Sequence, residues 1–432
     1  MSVSLRSLVA DTRPLRNGHF RRIWIAQIIT MVGAQLTVVA VPAQIYADTG
    51  SSAYVGLTGL FGLVPLVVFG LYGGALADHF DRRLMLVITT VGLIGSSALF
   101  WLQSALGSQN VWLLLTLFSV QQAFFAVNSP TRSAILPKLL TKDLLPAANS
   151  LSMTVMQAGA IAGPLVAGVL IPFTGYTYLY LIDTLTLLAT LYAVVLLPRL
   201  PVERAAAKAP GFRSVLEGFV YLKTQPVLLM SFVVDLIAMV FGMPRALYPQ
   251  IAHQSFGGPP SGGLVFALLY AAIPAGSVVG GVLSGWMSRV ERQGVVVLWC
   301  IAAWGLGILG FGATLFVTPH LRTPMLVLGL AFQMVAGAAD VASAAIRSSM
   351  LQSAADDNVR GRLQGVFTVV VAGGPRIADV VHGGVAAVAG TAATTAGGGA
   401  LVIVGIAICA VLVPSFVRYR VIRLHAPEAA TA

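Results

Sequence analysis

Charged residues and cysteine are both scarce in this sequence. Only 9% of its 432 residues are Asp, Glu, Lys or Arg, whereas soluble globular chains carry about 25%. Hydrophobic residues make up 57% of the chain, and the mean hydropathy is +0.88. These values exclude a soluble globular domain and predict a protein that crosses a membrane many times. The two cysteines, Cys300 and Cys409, lie in apolar runs, which excludes a disulfide framework and a cysteine-based metal cluster.

The short motifs of common enzymes are also missing. The sequence contains no HExxH, GxSxG or CxxC motif and no Walker A loop. It therefore predicts neither a catalytic centre nor an ATPase site, and it implies no cofactor and no bound metal. His79 and His382 stand alone, and core or loop contacts suit them better than metal ligation. The polar N-terminus lacks the features of a secretory leader, so we expect the first apolar run to be a span.

Long apolar runs organise the chain. A membrane-spanning helix needs about 20 mainly apolar residues, and twelve stretches meet this requirement. A polar, proline-bounded break separates the sixth stretch from the seventh. The sequence therefore predicts an all-α membrane protein with two six-helix bundles, 1–197 and 227–432, joined by a central cytoplasmic loop, 198–226. The predicted spans are 21–47, 54–77, 84–105, 110–135, 147–172, 176–197, 227–251, 262–287, 294–317, 323–350, 363–389 and 397–417.

The positions of lysine and arginine predict the orientation. They concentrate at both termini, in the central loop and in the loops after spans 2, 4, 8 and 10, whereas the opposite face keeps only Arg322. Because basic residues are enriched on the cytoplasmic side of membrane proteins, both termini are predicted to be cytoplasmic. The formal net charge of +11 is explained by this topology and by attraction to anionic lipids, and it does not indicate nucleic-acid binding.

The two predicted bundles show a weak internal repeat. Each match is short, but the matches occur in the same order and with a slowly growing offset. This pattern predicts two halves in parallel orientation, with a binding site at their interface, as in transporters that rock one half against the other. The matches are VPAQIY (41–46) with MPRALY (243–248), GGAL (73–76) with GGVL (280–283), and the pair Arg132 and Asn149 with the pair Arg347 and Gln364.

The loop between spans 2 and 3 reads GGALADHFDRR over residues 73–83. Gly74 is one of three small residues there that allow two helices to approach closely. Asp78 stands near Arg82 and Arg83, so charges of both signs occur where two membrane helices meet. We interpret the loop as an ionic latch, and a generic charged loop is the alternative.

Span 5 contains the glycine-rich segment GAIAGPLVAG, residues 159–168. Gly159, Gly163 and Gly168 would leave a groove for a neighbouring helix, and Pro164 would free a backbone carbonyl and bend the span. The segment is therefore interpreted either as a helix-packing face or as a functional bend.

Four acidic residues lie within predicted spans: Asp183, Asp235, Asp340 and Asp379. Because a charge in lipid is costly, each is a candidate for proton coupling, and a structural polar contact is the alternative for each. Asp379 has a further local alternative, since Arg376 lies three residues earlier on the same helical face and could neutralise it.

Polar and aromatic residues in the spans indicate a substrate cavity. Span 1 carries amides on one helical face, which suits a neutral or zwitterionic organic solute, and helix–helix hydrogen bonds are the alternative. Arg245 lies about 15 Å along a helix from Asp235, so each of the two needs another partner. Aromatic rings could stack on a ring-bearing solute, although ordinary packing explains any single one of them. The cavity candidates are Gln27, Met31, Gln35, Gln121, Phe124, Asp235, Arg245 and Tyr270.

The loop after span 2 and the glycine-rich segment of span 5 resemble two signatures of the major facilitator superfamily. With AVPAQI, YPQIA, LLYAAIPAG and GRLQG, nearly the whole chain is similar to the bacterial drug:proton antiporter branch, which includes a siderophore exporter. This resemblance implies a twelve-span exporter of the bacterial inner membrane that is driven by proton exchange. Asp78 would then latch the cytoplasmic ends of the two halves in the outward-open state. Its implied contacts are Arg132 and the start of span 11 near Gln364, where a helix N-terminus carries partial positive charge.

Span 4 departs from the pattern of that branch. Drug antiporters carry an arginine in the middle of this span, whereas FSVQQAFFAVNSP, residues 118–130, has none. The resemblance therefore does not identify the proton-coupling residue.

Residues and resemblance together predict a proton-coupled secondary active exporter of a medium-sized organic solute, either a siderophore or drugs, that works by alternating access. A lysophospholipid transporter of the same fold is the alternative, and its lipid would enter laterally between spans 5 and 8 or spans 2 and 11. A receptor or a membrane enzyme would require neither the repeat nor the latch. The expected partners are the solute, protons and membrane lipids, and the protein is expected to act as a monomer.

Overall fold

A computed structural model describes residues 11–198, 220–318, 321–354 and 357–420. Within these ranges, the side chains of residues 71–79, 288, 352–354 and 357–369 are not described. All regular secondary structure in the described residues is helical, as the sequence predicts. The predicted central loop lies mostly outside the described residues, so its boundaries and those of the two bundles stay predictions.

Twelve helices form the membrane part of the described chain. We call α1–α6 the N-half and α7–α12 the C-half. α5 and α6 are two parts of one helical run, Leu145–Val195, which leaves helical geometry at Gly175 (φ 65°, ψ −172°). The helices are α1 Gly18–Thr49, α2 Ser52–His79, α3 Arg82–Ala105, α4 Val111–Leu139, α5 145–174, α6 176–195, α7 Pro226–Gly242, α8 Leu264–Val282, α9 Gln293–Val317, α10 Arg322–Ala354, α11 Asp357–Ala389 and α12 Thr391–Leu412.

Ten helical segments of the described residues are long and apolar enough to cross a membrane. The segment Lys142–Val195 counts once among them, but its 54 residues correspond to about 81 Å of helix, which allows two crossings. α11 is not among the ten, and it carries Arg376, Asp379 and His382. With the run divided at Gly175 and α11 included, the helices agree with the twelve predicted spans.

Local sequence signals set the ends of several helices. The side chains of Asn17, Asp81 and Asn110 cap α1, α3 and α4, each by accepting hydrogen bonds from two backbone N–H groups of the first turn. These N–H groups have no partner within a helix, so the caps stabilise the helix starts. Gly50 ends α1 with a φ of 66°, a left-handed conformation that favours glycine.

α7 ends earlier than the predicted span 227–251. Met243 leaves the helical region (φ −123°, ψ 76°), because a following proline disfavours helical geometry. A 3-10 turn, Arg245–Leu247, follows, and short helical turns continue to Ser255. The predicted span 227–251 therefore contains a break, although Pro226–Ser255 still counts as one segment long and apolar enough to cross a membrane, and the break lies where the chain reaches the interface between the halves.

His382 of α11 stabilises the break in α7. Its Nδ1 lies 3.0 Å from the carbonyl oxygen of Met243, and its Nε2 lies 3.0 Å from the carbonyl oxygen of Phe241. A broken helix in a membrane must have its freed carbonyls satisfied by neighbouring groups. His382 therefore makes the packing contact that the sequence favoured for it.

The two halves meet along two helix pairs. α2 packs against α11, and α5 packs against α8. Gly59 of α2 lies directly against the backbone carbonyl of Arg376, and Gly168 of α5 lies against Ala267 of α8. These close contacts lie in the part of the bundle remote from the start of α1 and the end of α12. We call that side the far face, and we call the side of the two chain ends the terminal face.

Hydrophobic packing differs between the two faces. At the far face, one buried cluster combines residues of both halves, such as Phe118 with Leu247 and Phe266. Toward the terminal face, the clusters of described residues belong to the C-half alone or to the N-half alone. Gly70 lies three turns beyond Gly59 on the same face of α2, yet a Cβ there would meet no atom of the described residues within 4 Å. Among the described residues, the halves are therefore in close contact at the far face, and no such contact between them is described toward the terminal face.

Candidate functional site

A cavity of about 370 Å³ lies between the two halves, next to the closed far face. Its volume falls within the range of small-molecule sites, about 300–1,000 Å³. Helices α1, α2, α4 and α5 line it from the N-half, and α8, α11 and the segment after α7 line it from the C-half. Three charged side chains reach it, together with polar and aromatic ones. These lining residues are Arg245, Arg376 and Asp379, with Gln35, Thr58, Phe118, Tyr248 and Tyr270.

Arg245 and Asp379 form an ion pair on the wall of the cavity. Nε and Nη2 of Arg245 donate to the two carboxylate oxygens of Asp379, at 3.0 and 2.8 Å. Such a bidentate pair fixes the orientation of both groups. Arg376 forms no direct ion pair with Asp379 among the described residues and interacts with it only at longer range, so Arg245 is the direct partner of this acid.

Arg376 connects the C-half to the N-half. Its Nη2 donates to Oε1 of Gln122 at 3.0 Å, and its guanidinium carbon lies 5.2 Å from the centre of the Phe118 ring. Both partners belong to α4 and both are uncharged. A guanidinium over an aromatic face gains about 0.5–2 kcal/mol, so this arrangement holds α11 against α4 where the cavity meets the far face.

A second ion pair lies inside the C-half, away from the cavity. Nη1 of Arg347 lies 2.6 Å from Oδ2 of Asp235, and the side chains are 5% and 2% exposed. Asp340, two turns before Arg347 on α10, interacts electrostatically with both. Asp235 is thus paired directly with this guanidinium, and Asp340 adds a second carboxylate that interacts with it at longer range. The expectation that Asp235 needs a partner other than Arg245 is confirmed, whereas Asp235 does not line the cavity.

Asp183 of α6 is buried inside the N-half. Its Oδ2 accepts hydrogen bonds from the hydroxyls of Thr37 at 2.7 Å and Ser97 at 2.9 Å, so it links α6 to α1 and α3. No cation lies within ion-pair distance of it in the part of the chain that the structure describes. These surroundings fit the structural alternative that the sequence left open for this acid.

The glycines of span 5 receive side chains of α1. Met31 lies against Gly159, and Gln35 lies against Gly163, at positions where a Cβ would overlap them. The segment therefore serves as the packing face that was one of its two interpretations. Gln35 and Pro164 also line the cavity, so this groove continues into the candidate site.

The remaining cavity candidates are divided between the site and the helix packing. Tyr270 lines the cavity, and its ring meets the Tyr248 ring edge to face at 5.2 Å. Gln27 donates to the backbone carbonyl of Ser152 at 3.4 Å. Phe124 packs on Gly92 of α3. Gln27, Met31, Gln121 and Phe124 are not among the residues that line the cavity.

Part of the predicted latch lies outside the described side chains, namely Gly74, Asp78 and Gln364. The contact between Asp78 and the start of span 11 therefore stays a prediction.

The arginines near the terminal face tie helices together within the N-half. Arg82 donates to α4, Arg83 donates to α6, and Arg132 donates to α1. In the present structure, in which the far face is closed, these hydrogen bonds stabilise the N-half. The acceptors are the carbonyl oxygens of Ala134, Val195 and Ile23, at 3.1, 2.5 and 3.4 Å respectively.

Sequence reasoning missed the roles of Arg347 and Arg376. Each is an arginine in an apolar run, which is the same signal that identified the four acids. Their partners lie on other helices, 112 residues away for Arg347 with Asp235 and 254 residues away for Arg376 with Gln122. Nothing in the local pattern indicates those pairings.

The family model of the transmembrane secretion effectors, MFS_3, matches residues 9–429. The chain belongs to this family. This secretion effector is 28% identical over 402 residues to the Enterobactin exporter EntS of Escherichia coli O1:K1 / APEC, with 91% of this chain and 92% of that protein covered. It is 27% identical over 395 residues to the protein of the same name from Salmonella typhi, with the same shares covered.

Solved structures resemble the secretion effector in fold. The POT family transporter PepTSo gives a TM-score of 0.74 at 12% identity, with 93% of this chain and 98% of that chain covered. A bacterial homologue of the iron transporter ferroportin in its inward-facing state gives a TM-score of 0.66 at 13% identity, with 93% and 98% covered. These likenesses show the major facilitator fold, and the family match over residues 9–429 makes the chain a multi-pass membrane transporter, as its sequence predicts.

Proposed function

We propose that this secretion effector exports a medium-sized organic solute of the siderophore class from the cytoplasm in exchange for protons. The observation that carries the proposal is the cavity between the two halves, lined by both and placed beside a closed far face. Relatives named for enterobactin export support the substrate class. Because one chain supplies the whole cavity, a monomer is sufficient for transport.

The direction follows from the closed face. If both termini are cytoplasmic, as the basic loops predict, the far face is periplasmic and the halves part toward the cytoplasm. The present conformation would then load solute from the cytoplasm. Rocking the halves would close the terminal face and open the far face, with the loop residues Asp78, Arg82 and Arg83 as the latch of that second state.

Proton coupling is assigned to the cluster of Asp235, Asp340 and Arg347. One guanidinium neutralises only one of two carboxylates, so the cluster carries surplus negative charge that a proton can remove. Protonation of either acid changes how Arg347 is shared between α7 and α10. Asp183 and Asp379 are less suited, because Asp183 is held by hydroxyls and Asp379 by both donors of Arg245.

Substrate-dependent proton movement in inverted membrane vesicles tests the proposal. The energised vesicles are challenged with a siderophore panel, a drug panel and a lysophospholipid. Proton efflux with siderophores alone supports the proposal, and efflux with unrelated drugs would make the protein a multidrug exporter. A response to lysophospholipid alone, or to none of the compounds, would contradict the proposal.

Two variants test the proton assignment in the same vesicles. Asp235→Asn and Asp340→Asn should each change the number of protons that move per solute. Asp183→Asn is the matched control, because it neutralises a buried acid that belongs to the N-half packing. Unchanged proton movement in both C-half variants would refute the assignment.

A further inference from the structure

The charges in the cavity do not cancel. Arg245 and Asp379 satisfy each other through two hydrogen bonds. Arg376 then adds a positive charge, and no carboxylate lies within ion-pair distance of it among the residues that the structure describes. A charge without a counter-ion inside a membrane protein is costly. The cavity therefore favours a ligand that brings negative charge.

The guanidinium of Arg376 is held by neutral partners across the interface between the halves. It reaches α4 by passing over Gly62 of α2, where an added Cβ would lie 3.1 Å from the guanidinium carbon. Beyond α2 it meets the Gln122 amide and the Phe118 ring. The same side chain thus lines the cavity and joins α11 to α4 beside the closed far face.

We propose that the cavity binds an organic anion through Arg376, and that the anion competes with Gln122 and Phe118 for this guanidinium, so that loading the cavity loosens the closed far face. The inference rests on the proposed function, because it specifies the charge of the exported solute. It also gives the solute a part in starting the conformational change.

The competition follows from the relative strengths of the contacts. A guanidinium binds a carboxylate or phenolate more strongly than it binds a neutral amide, because both partners are then charged. The attraction to the Phe118 ring depends on the positive charge of Arg376, and a bound anion neutralises that charge. By thermodynamic linkage, if the bound anion weakens the contacts of Arg376 with α4, those contacts weaken anion binding by the same free energy, so removing them should strengthen binding.

Binding of two matched probes to the full-length protein in lipid nanodiscs tests the charge preference. 2,3-Dihydroxybenzoate and 2,3-dihydroxybenzamide share the ring and both hydroxyls, and only the first carries a carboxylate. By calorimetry, the wild type should bind the benzoate at least about tenfold more tightly than the amide. Equal affinity for the two probes, or no binding of either, would overturn the proposal.

Variants test whether Arg376 is responsible for the preference for the benzoate over the amide. Arg376→Gln should remove it, and Arg376→Lys should keep part of it, because the positive charge remains. Arg289→Gln removes a charge from the exposed turn Ser284–Arg289 and should leave the preference intact. Gln122→Ala should bind the benzoate a few-fold more tightly than the wild type. Weaker or unchanged binding by Gln122→Ala would overturn the competition.

The distance between two spin labels measures directly how far the two halves are separated at the far face. Gln109→Cys in the loop after α3 and Ala389→Cys at the end of α11 are both exposed, and Cys300 and Cys409 are replaced by alanine in that background. The benzoate should lengthen the distance between the labels, and the amide should not. The benzoate should have no effect in Arg376→Gln. A distance that does not respond to the benzoate would overturn the coupling.

These experiments separate the inference from the proposed function. Siderophore export with equal binding of the two probes would overturn the anion site and leave the export function standing. A charge preference that depends on Arg376, without proton-coupled movement of any siderophore, would support the anion site and contradict siderophore export.

Discussion

Arg347 and Asp235 form an ion pair of 2.6 Å between α10 and α7, and neither side chain is more than 5% exposed. A buried ion pair has little net stabilising effect compared with apolar packing, but removal of one partner leaves an unpaired charge. The pair is therefore sensitive to any event that neutralises only one of its two charges. Protonation of Asp235 would be such an event, which is why the pair suits a coupling role.

Asp235→Asn should destabilise the protein, by less than the roughly 3–5 kcal/mol that a fully unpaired buried charge costs, because Arg347 would lose its ion-pair partner but keep the more distant carboxylate of Asp340. Thermal unfolding in detergent measures the loss. The double variant with Arg347→Gln should recover much of the stability, since it removes the orphaned charge. Equal stability of Asp235→Asn and the wild type would show that the pair does not hold α7 to α10.

Gly59→Ala should prevent closure of the far face. A Cβ at this position would overlap the backbone carbonyl oxygen of Arg376, and backbone atoms cannot move aside as a flexible side chain can. We expect transport to fall about tenfold and the far-face label distance to lengthen without ligand. Gly70→Ala is the matched control on the same face of α2, because a Cβ there meets no atom of the described residues within 4 Å. Transport by Gly59→Ala at the wild-type rate would contradict the closed far face.

His382→Phe should destabilise the structure around the break in α7. The phenyl ring keeps the bulk of imidazole but has no N–H, so the carbonyl oxygen of Phe241 or Met243 that receives the His382 proton would lose its donor, at a cost of about 1–3 kcal/mol. The thermal midpoint in detergent should fall. His382→Gln should lose less, because its amide can still donate to a carbonyl. If both variants unfold at the wild-type temperature, His382 does not stabilise the break.

Asp78→Asn should reduce export without reducing membrane insertion, because it removes the charge and keeps the shape of the side chain. Uptake of the solute into inverted vesicles measures export, and the amount of protein in the membrane measures insertion. Asp81→Asn is the control in the same loop, since asparagine can replace aspartate as the cap of α3. Wild-type transport by Asp78→Asn would refute the latch.

The helices themselves could be predicted from the sequence, because the signals that define them are local. About 20 apolar residues in a row are enough to indicate a span, and charged loops separate one span from the next. The break in α7 also has a local cause in Pro244, but its consequence does not. Whether a proline bends a membrane helix or ends it depends on which neighbour satisfies the freed carbonyls, and here that neighbour is His382 of α11.

The charged residues of the site could be identified from the sequence, but their pairing could not. An ionisable residue in an apolar run is conspicuous in any chain, so Asp235, Asp379 and Arg245 were found. Arg245 and Asp379 are 134 residues apart, and no local pattern joins them. Their contact depends on how α7 and α11 pack in three dimensions, as does the contact of Arg376 with Gln122 across the two halves.

By itself, the sequence determined the class of the protein, the number of spans and the residues that are costly in a membrane, because each follows from the composition of short segments. The tertiary structure alone decided which acids Arg245 and Arg347 pair with, which guanidinium has no counter-ion among the described residues, and which face is closed. These outcomes depend on contacts between residues far apart in the chain, and the free energies of such contacts are set by distance and burial.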